Sequence, residues 1–310
     1  MSFARHSDAV HVRAPGKINV HLGVGARHED GYHSLATVFQ AVSLYEDVYA
    51  TASDGFSISV VGDVDVSEVP LDDRNLALRA ARLLAQTADV DQGVHLDIRK
   101  GVPVAGGMGG GSADAAAALV ACDALWGTEL GSRRLHELAA RLGADVPFAL
   151  HGGTAIGTGR GDVLTPALAR GRFDWVLVLS EQGLSTPEIY GRLDRMRMRG
   201  RALADDATEL LEVPPAVLQA LRAGDPAELA PVMMNDLEPA AVADRPDLEL
   251  ALADGVRMGA LTGIVSGSGP TIAFLCAGPE AARAVQEELR ATGRQALHVH
   301  GAVPGAQLMG

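Results

Sequence analysis

The stretch Pro103-Val-Ala-Gly-Gly-Met-Gly-Gly-Gly-Ser-Ala113 holds five glycines and leads directly into an alanine-rich segment with helical character. Glycine lets backbone N–H groups converge on a ligand without obstruction by Cβ atoms, and a helix N-terminus adds partial positive charge. The combination predicts an anion site, most naturally for phosphate, with the Ser112 hydroxyl available to the phosphate or to its Mg²⁺. A flexible linker is the alternative, but a linker would not continue into a helix.

The residue pattern of this glycine run excludes two other kinds of phosphate-binding loop. It lacks the Gly-Lys-Ser/Thr ending of a P-loop, and its glycines do not follow Gly-x-Gly-x-x-Gly. A Rossmann dehydrogenase is therefore disfavoured. The residues predicted to contact the bound phosphates are Pro103, Val104, Ala105, Gly106, Gly107, Met108, Gly109, Gly110, Gly111, Ser112 and Ala113.

The rest of the chain mixes strands and helices without regular alternation, which predicts an α+β fold rather than a doubly wound sheet. We expect two domains, 1–158 and 159–310, with the glycine-rich segment 152–162 at the crossing. We also expect an exposed polar loop over 197–206. Strands are predicted over 10–24, 36–51, 56–62, 94–99, 175–179, 263–267 and 271–276, and helices over 75–87, 112–126, 132–142 (with Ser132 as N-cap), 187–196, 215–223, 225–234, 248–258 and 279–292.

The overall charge and the cysteine content narrow the class of protein. A net charge of −13 argues against a nucleic-acid or anionic-membrane binder, since both use clustered basic surface. An anionic substrate must then be held by local donors. Cys122 and Cys276 show no metal-ligand spacing and no disulfide framework, which favours a reducing, cytoplasmic location. We expect a monomer or a weak homodimer.

A second group of polar residues lies in Pro15-Gly-Lys-Ile-Asn-Val-His-Leu22. In a strand, Lys17, Asn19 and His21 point to one face while Ile18 and its alternate neighbours point to the other. A face that carries ammonium, amide and imidazole groups suits a polar ligand, although an ordinary exposed sheet face would show the same pattern.

A third candidate is Asp145, in Gly143-Ala-Asp-Val-Pro-Phe148, and a fourth is the small-residue loop Val265-Ser-Gly-Ser-Gly-Pro-Thr271. Phosphoryl transfer to an alcohol needs a group that orients or deprotonates the hydroxyl and cations that offset the developing charge. Asp145 with Lys17 would meet both needs, whereas Asp145 alone could be a helix cap. The loop 265–271 could be a tight turn or a second glycine-rich wall of the same site.

These pieces, in this order, resemble the GHMP kinase superfamily, which includes galacto-, homoserine, mevalonate and phosphomevalonate kinases. Residues 15–20, 103–113 and 265–271 look like its three motifs, and together they span nearly the whole chain. The resemblance implies a two-domain α+β fold that binds ATP and the acceptor in the cleft between the domains, with Mg²⁺ on the phosphates.

Four further stretches narrow the resemblance to a branch of that superfamily whose acceptor is a cytidine-diphosphate-linked methylerythritol. They are Pro15–Asn19, Arg27-His-Glu-Asp-Gly-Tyr-His33, Ala144–Phe148 and Thr186-Pro-Glu-Ile-Tyr190. The resemblance implies that Asp145 is the base and that Lys17 holds the reacting oxygen. The residues it implies at the acceptor are Asn19, Tyr32, His33, Thr186, Tyr190, Gly267, Ser268 and Gly269, with Tyr32 and Tyr190 stacked on opposite faces of the cytosine.

Three alternatives stay open at this point. The acceptor could be another alcohol, such as homoserine or a mevalonate derivative. The chain could be a non-catalytic relative, although such a protein would be expected to lose the lysine, the aspartate or the glycines, all of which are present. His33 could join His28 in a metal site, but no third histidine completes one.

Overall fold

The computed structural model describes residues 9–180, 182–201 and 211–310, so the predictions for 202–206 lie outside the described residues. Within those ranges, twelve strands form one sheet. Their bounds are Val10–Arg27 (β1), His33–Ser53 (β2), Phe56–Gly62 (β3), Gly93–Lys100 (β4), Thr154–Thr158 (β5), Val163–Pro166 (β6), Phe173–Leu179 (β7), Met234–Asn235 (β8), Thr262–Val265 (β9), Ile272–Cys276 (β10), Gln295–Gly301 (β11) and Gln307–Leu308 (β12).

Ten α-helices and one 3₁₀ turn accompany the sheet in the same ranges. They are Leu76–Ala88 (α1), Gly110–Trp126 (α2), Gly131–Leu142 (α3), Val146–His151 (α4), Thr186–Arg201 (α5), Pro215–Ala223 (α6), Pro226–Leu229 (α7), Glu238–Asp244 (α8), Asp247–Arg257 (α9) and Pro279–Ala291 (α10), with the 3₁₀ turn at Ala230–Val232. Among these described helices, none is long and apolar enough to cross a membrane.

The sheet runs in the order β12-β1-β2-β11-β7-β10-β9, and β3–β6 and β8 join it from the side. The mixture of antiparallel hairpins with separate helices confirms the α+β prediction. The division at residue 158 stays a prediction. The sheet continues across this boundary, because β11 pairs with β2 and β12 pairs with β1. Residue 158 also separates β5 from β6, although these two strands pair with each other.

Helix α2 is buried because seven of its first eleven residues are alanine or glycine and two more, Leu119 and Val120, are apolar. A helix that is apolar all round belongs in a core. Residues Ala115 to Leu119 have no exposed surface and pack with strand residues such as Val48 and Ile98. Small side chains let α2 lie close to β1 and β2, and this places its N-terminus beside the middle of β1.

Three local predictions are wrong. Helix α5 continues through 197–201, where a loop was expected, and Arg197 in its last turns donates to the carbonyl of Gly25 and to Asp236. Helix α3 begins at Gly131, before Ser132, and its N-cap position makes no side-chain bond. The expected helix over 225–234 stops at Leu229 and ends in a 3₁₀ turn, since Pro231 has no N–H to continue it.

Candidate active site

The glycine run forms a loop whose backbone curls around an open space before α2 begins. Ala105, Gly107 and Gly109 have φ values of 53°, 75° and 72°, all in the left-handed region. Left-handed residues at alternate positions of a turn bring neighbouring N–H groups towards a common point, as in an anion-binding nest. The carbonyl of Met108 accepts a 2.9 Å bond from the N–H of Lys17, and this bond fixes the loop against β1.

The loop 265–271 lies directly against the glycine run. The Ser266 hydroxyl donates to the carbonyl of Gly107 at 3.2 Å, and a Cβ atom on Gly107 would lie 2.2 Å from the carbonyl oxygen of Ser266. Only glycine permits this approach. The two glycine-rich segments, more than 150 residues apart in sequence, therefore form one wall, and 265–271 is more than an isolated turn.

Lys17 and Asp145 meet beside this wall. The Lys17 ammonium donates to Oδ1 of Asn19 at 2.7 Å and lies 4.0 Å from Oδ2 of Asp145. Asn19 in turn donates to Thr37, whose hydroxyl donates to the carbonyl of His21. Burial lowers the pKa of Lys17, and the charge of Asp145 opposes that shift. The face of β1 predicted to be functional is thus held rigidly at Lys17 and Asn19.

Asp145 precedes α4, at the N-cap position, but its side chain makes no capping hydrogen bond. Its carboxylate instead faces Lys17 and remains about one-third exposed. His21, by contrast, lies beyond a register shift between Asn19 and His21 and does not line the site. A β-bulge changes which side chains share a face, so the simple alternation holds for Lys17 and Asn19 but not for His21.

A cavity of about 610 Å³, the first cavity, collects most of the predicted site residues. Ala113 is fully buried in the core instead, and Gly269 does not line the cavity, although its N–H donates to Ser266 within the loop. The predicted residues in the lining are Lys17, Asn19, Pro103 to Ser112, Asp145, Thr186, Tyr190, Gly267 and Ser268. Residues of the 68–76 segment, including Val69, Pro70 and Leu76, also line the cavity.

A second cavity, of about 440 Å³, contains Tyr32, His33 and Tyr190. The rings of His33 and Tyr190 are 5.0 Å apart and tilted by 36°. Nε2 of His33 is hydrogen-bonded to Asp194 at 2.8 Å, and Tyr32 is 57 % exposed. Burial first, and then the charge of Asp145, raise the pKa of Tyr190 to about 12, so its phenol stays neutral.

The two cavities share a common wall made of Leu35, Arg160, Thr186 and Tyr190. The Thr186 hydroxyl is bonded to that of Ser268 at 2.8 Å, which links this wall to the loop 265–271. A ligand with a flat ring in the second cavity could therefore extend past this wall to Lys17 and Asp145. The arrangement suits the transfer of a group from a phosphate-bearing ligand at the glycine run to a long acceptor.

A buried ion cluster supports the glycine run from behind. The Lys100 ammonium lies 2.6 Å from both Glu46 and Asp114, and all three residues are almost fully buried. Burial raises the pKa of Glu46 to about 8; the negative charge of Asp114 adds to this shift and the positive charge of Lys100 opposes it. Burial also raises the pKa of Asp114. A Cβ atom on Gly110 would approach Oε1 of Glu46 to 2.8 Å, so the cluster contacts the first turn of α2.

Several residues of the site were not predicted from the sequence. Asn235 donates to the carbonyls of Val265 and Gly267 at 2.7 and 2.8 Å and so holds the second loop in place. Asp194 orients His33, and Arg160 joins the two cavities. The polar stretch Asn235-Asp-Leu-Glu238, which follows two methionines, could have indicated that Asn235 has a structural role. Asp194 gives no such indication, because its sequence context is that of an ordinary exposed helix residue.

The described residues hold no group of three or more His, Cys, Asp or Glu side chains arranged for a metal ion, so none includes His28 and His33, the alternative left open above. His28 bonds Ser34 and His33 bonds Asp194 instead. Mg²⁺ carried by a nucleotide needs only one or two protein ligands in addition to phosphate oxygens and water. The Ser112 hydroxyl, in the first turn of α2, fits that smaller requirement.

Comparison with known proteins gives a consistent result along the chain. The family model for the GHMP kinases N terminal domain matches residues 75–153, and that for the GHMP kinases C terminal matches residues 217–295. A 4-diphosphocytidyl-2-C-methyl-D-erythritol kinase from Clavibacter michiganensis is 56% identical over 308 residues, covering 99% of both chains. One from Mycolicibacterium smegmatis is 50% identical over 306 residues, covering 97% of this chain and 92% of that one.

Solved structures agree. A crystal structure of 4-(cytidine 5'-diphospho)-2C-methyl-D-erythritol kinase matches with a TM-score of 0.73 and 32% identity, covering 94% of this chain and all of that one. A homoserine kinase from Cytophaga hutchinsonii matches with a TM-score of 0.75 over the full length of both chains, but at 19% identity it shares the fold alone.

Proposed function

The chain belongs to the GHMP kinase family, and we propose that it transfers the γ-phosphoryl group of ATP to the 2-hydroxyl of 4-diphosphocytidyl-2-C-methyl-D-erythritol. The products are ADP and the 2-phosphate, an intermediate of the non-mevalonate route to isoprenoid precursors. Use of ATP follows from the family, and the identity of the acceptor follows from relatives that are 50 to 56% identical over nearly the whole chain.

The observation that carries this proposal is the common wall between the two cavities. The first cavity joins the glycine run to Lys17 and Asp145, and the second holds two tyrosines and a histidine. Homoserine and mevalonate carry no aromatic base, so neither would need the second cavity. A cytidine diphosphate ester of an alcohol would occupy the second cavity with its base and the first with its hydroxyl.

Asp145 deprotonates the acceptor hydroxyl, and Lys17 stabilises the negative charge that develops on its oxygen. The carboxylate accepts the hydroxyl proton as the new O–P bond forms, and the ammonium 4.0 Å away stabilises the reacting oxygen. Asn19 accepts one hydrogen of the ammonium and so limits its rotation. Because Lys17 is buried, its charge acts in a medium of low dielectric constant, where it is worth more than in water.

The donor phosphates lie against the nest at Ala105–Gly109 and the first turn of α2. N–H groups at these positions offer neutral donors, which suits a chain whose net charge is −13. The Ser112 hydroxyl would hold the Mg²⁺ that accompanies ATP, and the ion would neutralise charge on the transferred group. The adenine would lie against Val69, Pro70 and Leu76, which line the first cavity.

Tyr32 and Tyr190 stack on the cytosine, and His33 reads its polar edge. Because a carboxylate accepts hydrogen bonds, Asp194 favours the N–H of His33 at Nε2, and we assign to Nδ1 the role of acceptor toward the ligand. The exocyclic amino group of cytosine is a donor, whereas the matching position of uracil is a carbonyl. The Asp194–His33 pair therefore favours cytosine. We place the enzyme in the cytoplasm, acting as a monomer or weak homodimer and without nucleic-acid partners; its described cysteines are free thiols.

The proposal is tested by measuring ADP release from Mg-ATP with a panel of acceptors: the cytidyl diphosphate ester, its uridyl counterpart, homoserine and mevalonate. We expect turnover of the cytidyl ester, at least tenfold weaker kcat/KM for the uridyl ester because a donor–acceptor pair is lost, and none for the other two. Turnover of homoserine or mevalonate without turnover of the cytidyl ester would contradict the proposal.

A further inference from the structure

We propose that Arg160 binds the diphosphate of the acceptor and is a specificity-determining residue of this enzyme. The inference rests on the proposed function and extends it to the part of the acceptor between the base and the reacting alcohol. None of the motifs that indicate the family includes Arg160, which follows β5 in the turn Gly159-Arg-Gly161.

The position of the diphosphate follows from the positions of the two ends of the acceptor. The cytosine lies in the second cavity, and the 2-hydroxyl lies at Asp145 in the first. The diphosphate connects them, so it must pass the wall that the cavities share. Of the four residues in that wall, Leu35, Thr186 and Tyr190 are neutral, and Arg160 carries the positive charge.

The backbone that carries Arg160 is held on both sides. The N–H of Leu35, in β2, donates to the carbonyl of Gly159 at 2.8 Å, and the N–H of Gly161 closes a turn onto Thr158 at 3.0 Å. The N–H of Arg160 donates to Asp162 at 3.0 Å. The hairpin thus presents the arginine from a fixed base, and the side chain needs only rotamer changes to reach a ligand.

The guanidinium group is partly engaged but keeps donors free for an anion. It lies over the ring of Tyr32, 4.1 Å from the centroid, and one of its nitrogens contacts Asp30. Both members of this ion pair are about half exposed, at 51% and 48%, and such pairs contribute little to stability. A planar guanidinium has five N–H donors in a fork that matches phosphate. Arg160 can therefore hold Tyr32 against the base and bind the diphosphate with its outer edge.

The other lysine and arginine side chains that line either cavity have different positions or partners; Arg74 lines the first cavity alone and is paired with Asp72. Lys17 is bonded to Asn19 and faces the reacting hydroxyl, and Lys100 is held between Glu46 and Asp114. Arg27 lines the second cavity but not the shared wall, and its Nε donates to the carbonyl of Gly31. Arg160 is the charged side chain that lines both cavities, and a diphosphate that spans the two cavities needs a cation at this position.

The test compares the binding of CDP, CMP and cytidine to the full chain and to three variants, by titration calorimetry. The variants are Arg160→Met, Arg160→Lys and, as a matched control, Arg134→Met. Arg134 lies on α3, is 49% exposed and is paired with Glu137, so it resembles Arg160 in exposure and pairing but lies in neither cavity. Wild-type protein and the control should bind CDP about ten- to a hundredfold more tightly than cytidine, as expected for charge-assisted hydrogen bonds to phosphate.

Arg160→Met should bring the ratio of the cytidine Kd to the CDP Kd close to one, and Arg160→Lys should retain part of the wild-type ratio. The KM of Arg160→Met for the cytidyl acceptor should rise while its KM for ATP stays at the wild-type value. If Arg160→Met weakens CDP and cytidine by the same factor, Arg160 acts only through Tyr32, and the proposal is wrong while the proposed function stands. If the wild-type chain binds neither CDP nor cytidine, the proposed function fails as well.

Discussion

Replacement of Gly107 by alanine should break the contact between the two glycine-rich loops, and Gly127→Ala provides the matched control. Both glycines have left-handed backbone conformations, with φ of 75° and 60°. They differ in their surroundings. A Cβ atom on Gly107 would lie 2.2 Å from the Ser266 carbonyl oxygen and 3.1 Å from the Gly269 nitrogen, whereas one on Gly127 meets nothing within 4 Å.

The expected magnitudes follow from that difference. A left-handed conformation costs an alanine about 1–2 kcal/mol, and Gly127→Ala should lose that amount of unfolding free energy. Overpacking of a well-packed site adds about 1–3 kcal/mol, so Gly107→Ala should lose about 2–5 kcal/mol unless the two loops separate. Separation would displace the phosphate-facing N–H groups, and the KM for ATP should then rise about ten- to a hundredfold.

The assays are urea unfolding of each variant and steady-state kinetics with ATP as the varied substrate. Wild-type and Gly127→Ala proteins should have the same KM for ATP, and Gly107→Ala should differ in stability, in KM for ATP, or in both. Equal losses of stability in the two variants, together with unchanged ATP kinetics, would refute the conclusion that residues 103–113 and 265–271 form one wall.

Three further predictions concern single side chains. Asp145→Asn should lower kcat by about 10²–10⁴-fold, the usual range for a general base, and leave the Kd for ATP unchanged in a binding titration; near-full activity would exclude Asp145 as the base. Asp194→Asn should raise the KM for the cytidyl acceptor about tenfold without a change in the KM for ATP, because an amide can donate to Nε2 of His33 as well as accept from it and so no longer fixes the tautomer. Glu46 has a pKa of about 8 in the folded chain against an ordinary 4.5, so between these values the folded state keeps a proton that the unfolded state has lost. Stability should therefore fall as the pH rises from about 4.5 to 8, and Glu46→Gln should flatten that slope in urea unfolding at several pH values, whereas an unchanged slope would show that Glu46 does not hold the proton.

The parts of the site that the sequence predicts are those formed by neighbouring residues. The glycine run with its helix is a local signal, since the loop and the helix N-terminus that together bind an anion lie within eleven residues. Lys17 and Asn19 follow from strand alternation, but His21 does not, because a bulge after Asn19 changes the face. The helix over 197–201 was missed because its arginines resemble a solvated loop, whereas Arg197 is held by the Gly25 carbonyl and by Asp236.

The supporting residues could not be predicted because their partners lie far away in sequence. His33 and Asp194 are separated by 161 positions, and Asn235 holds a loop 30 residues later. Arg160 lies in a turn whose glycines suggest only a connection. Its place between two cavities follows from the pairing of β5 with β2, which local periodicity does not encode.

The most direct test of the account is phosphorus NMR of the product made from Mg-ATP and the cytidyl diphosphate ester of methylerythritol. We predict one new phosphomonoester signal, coupled to no neighbouring proton because the 2-carbon of the alcohol is tertiary, with the two diphosphate signals of the acceptor retained. A new signal coupled to carbinol protons, the loss of the diphosphate signals, or the absence of any new ester would contradict the assignment.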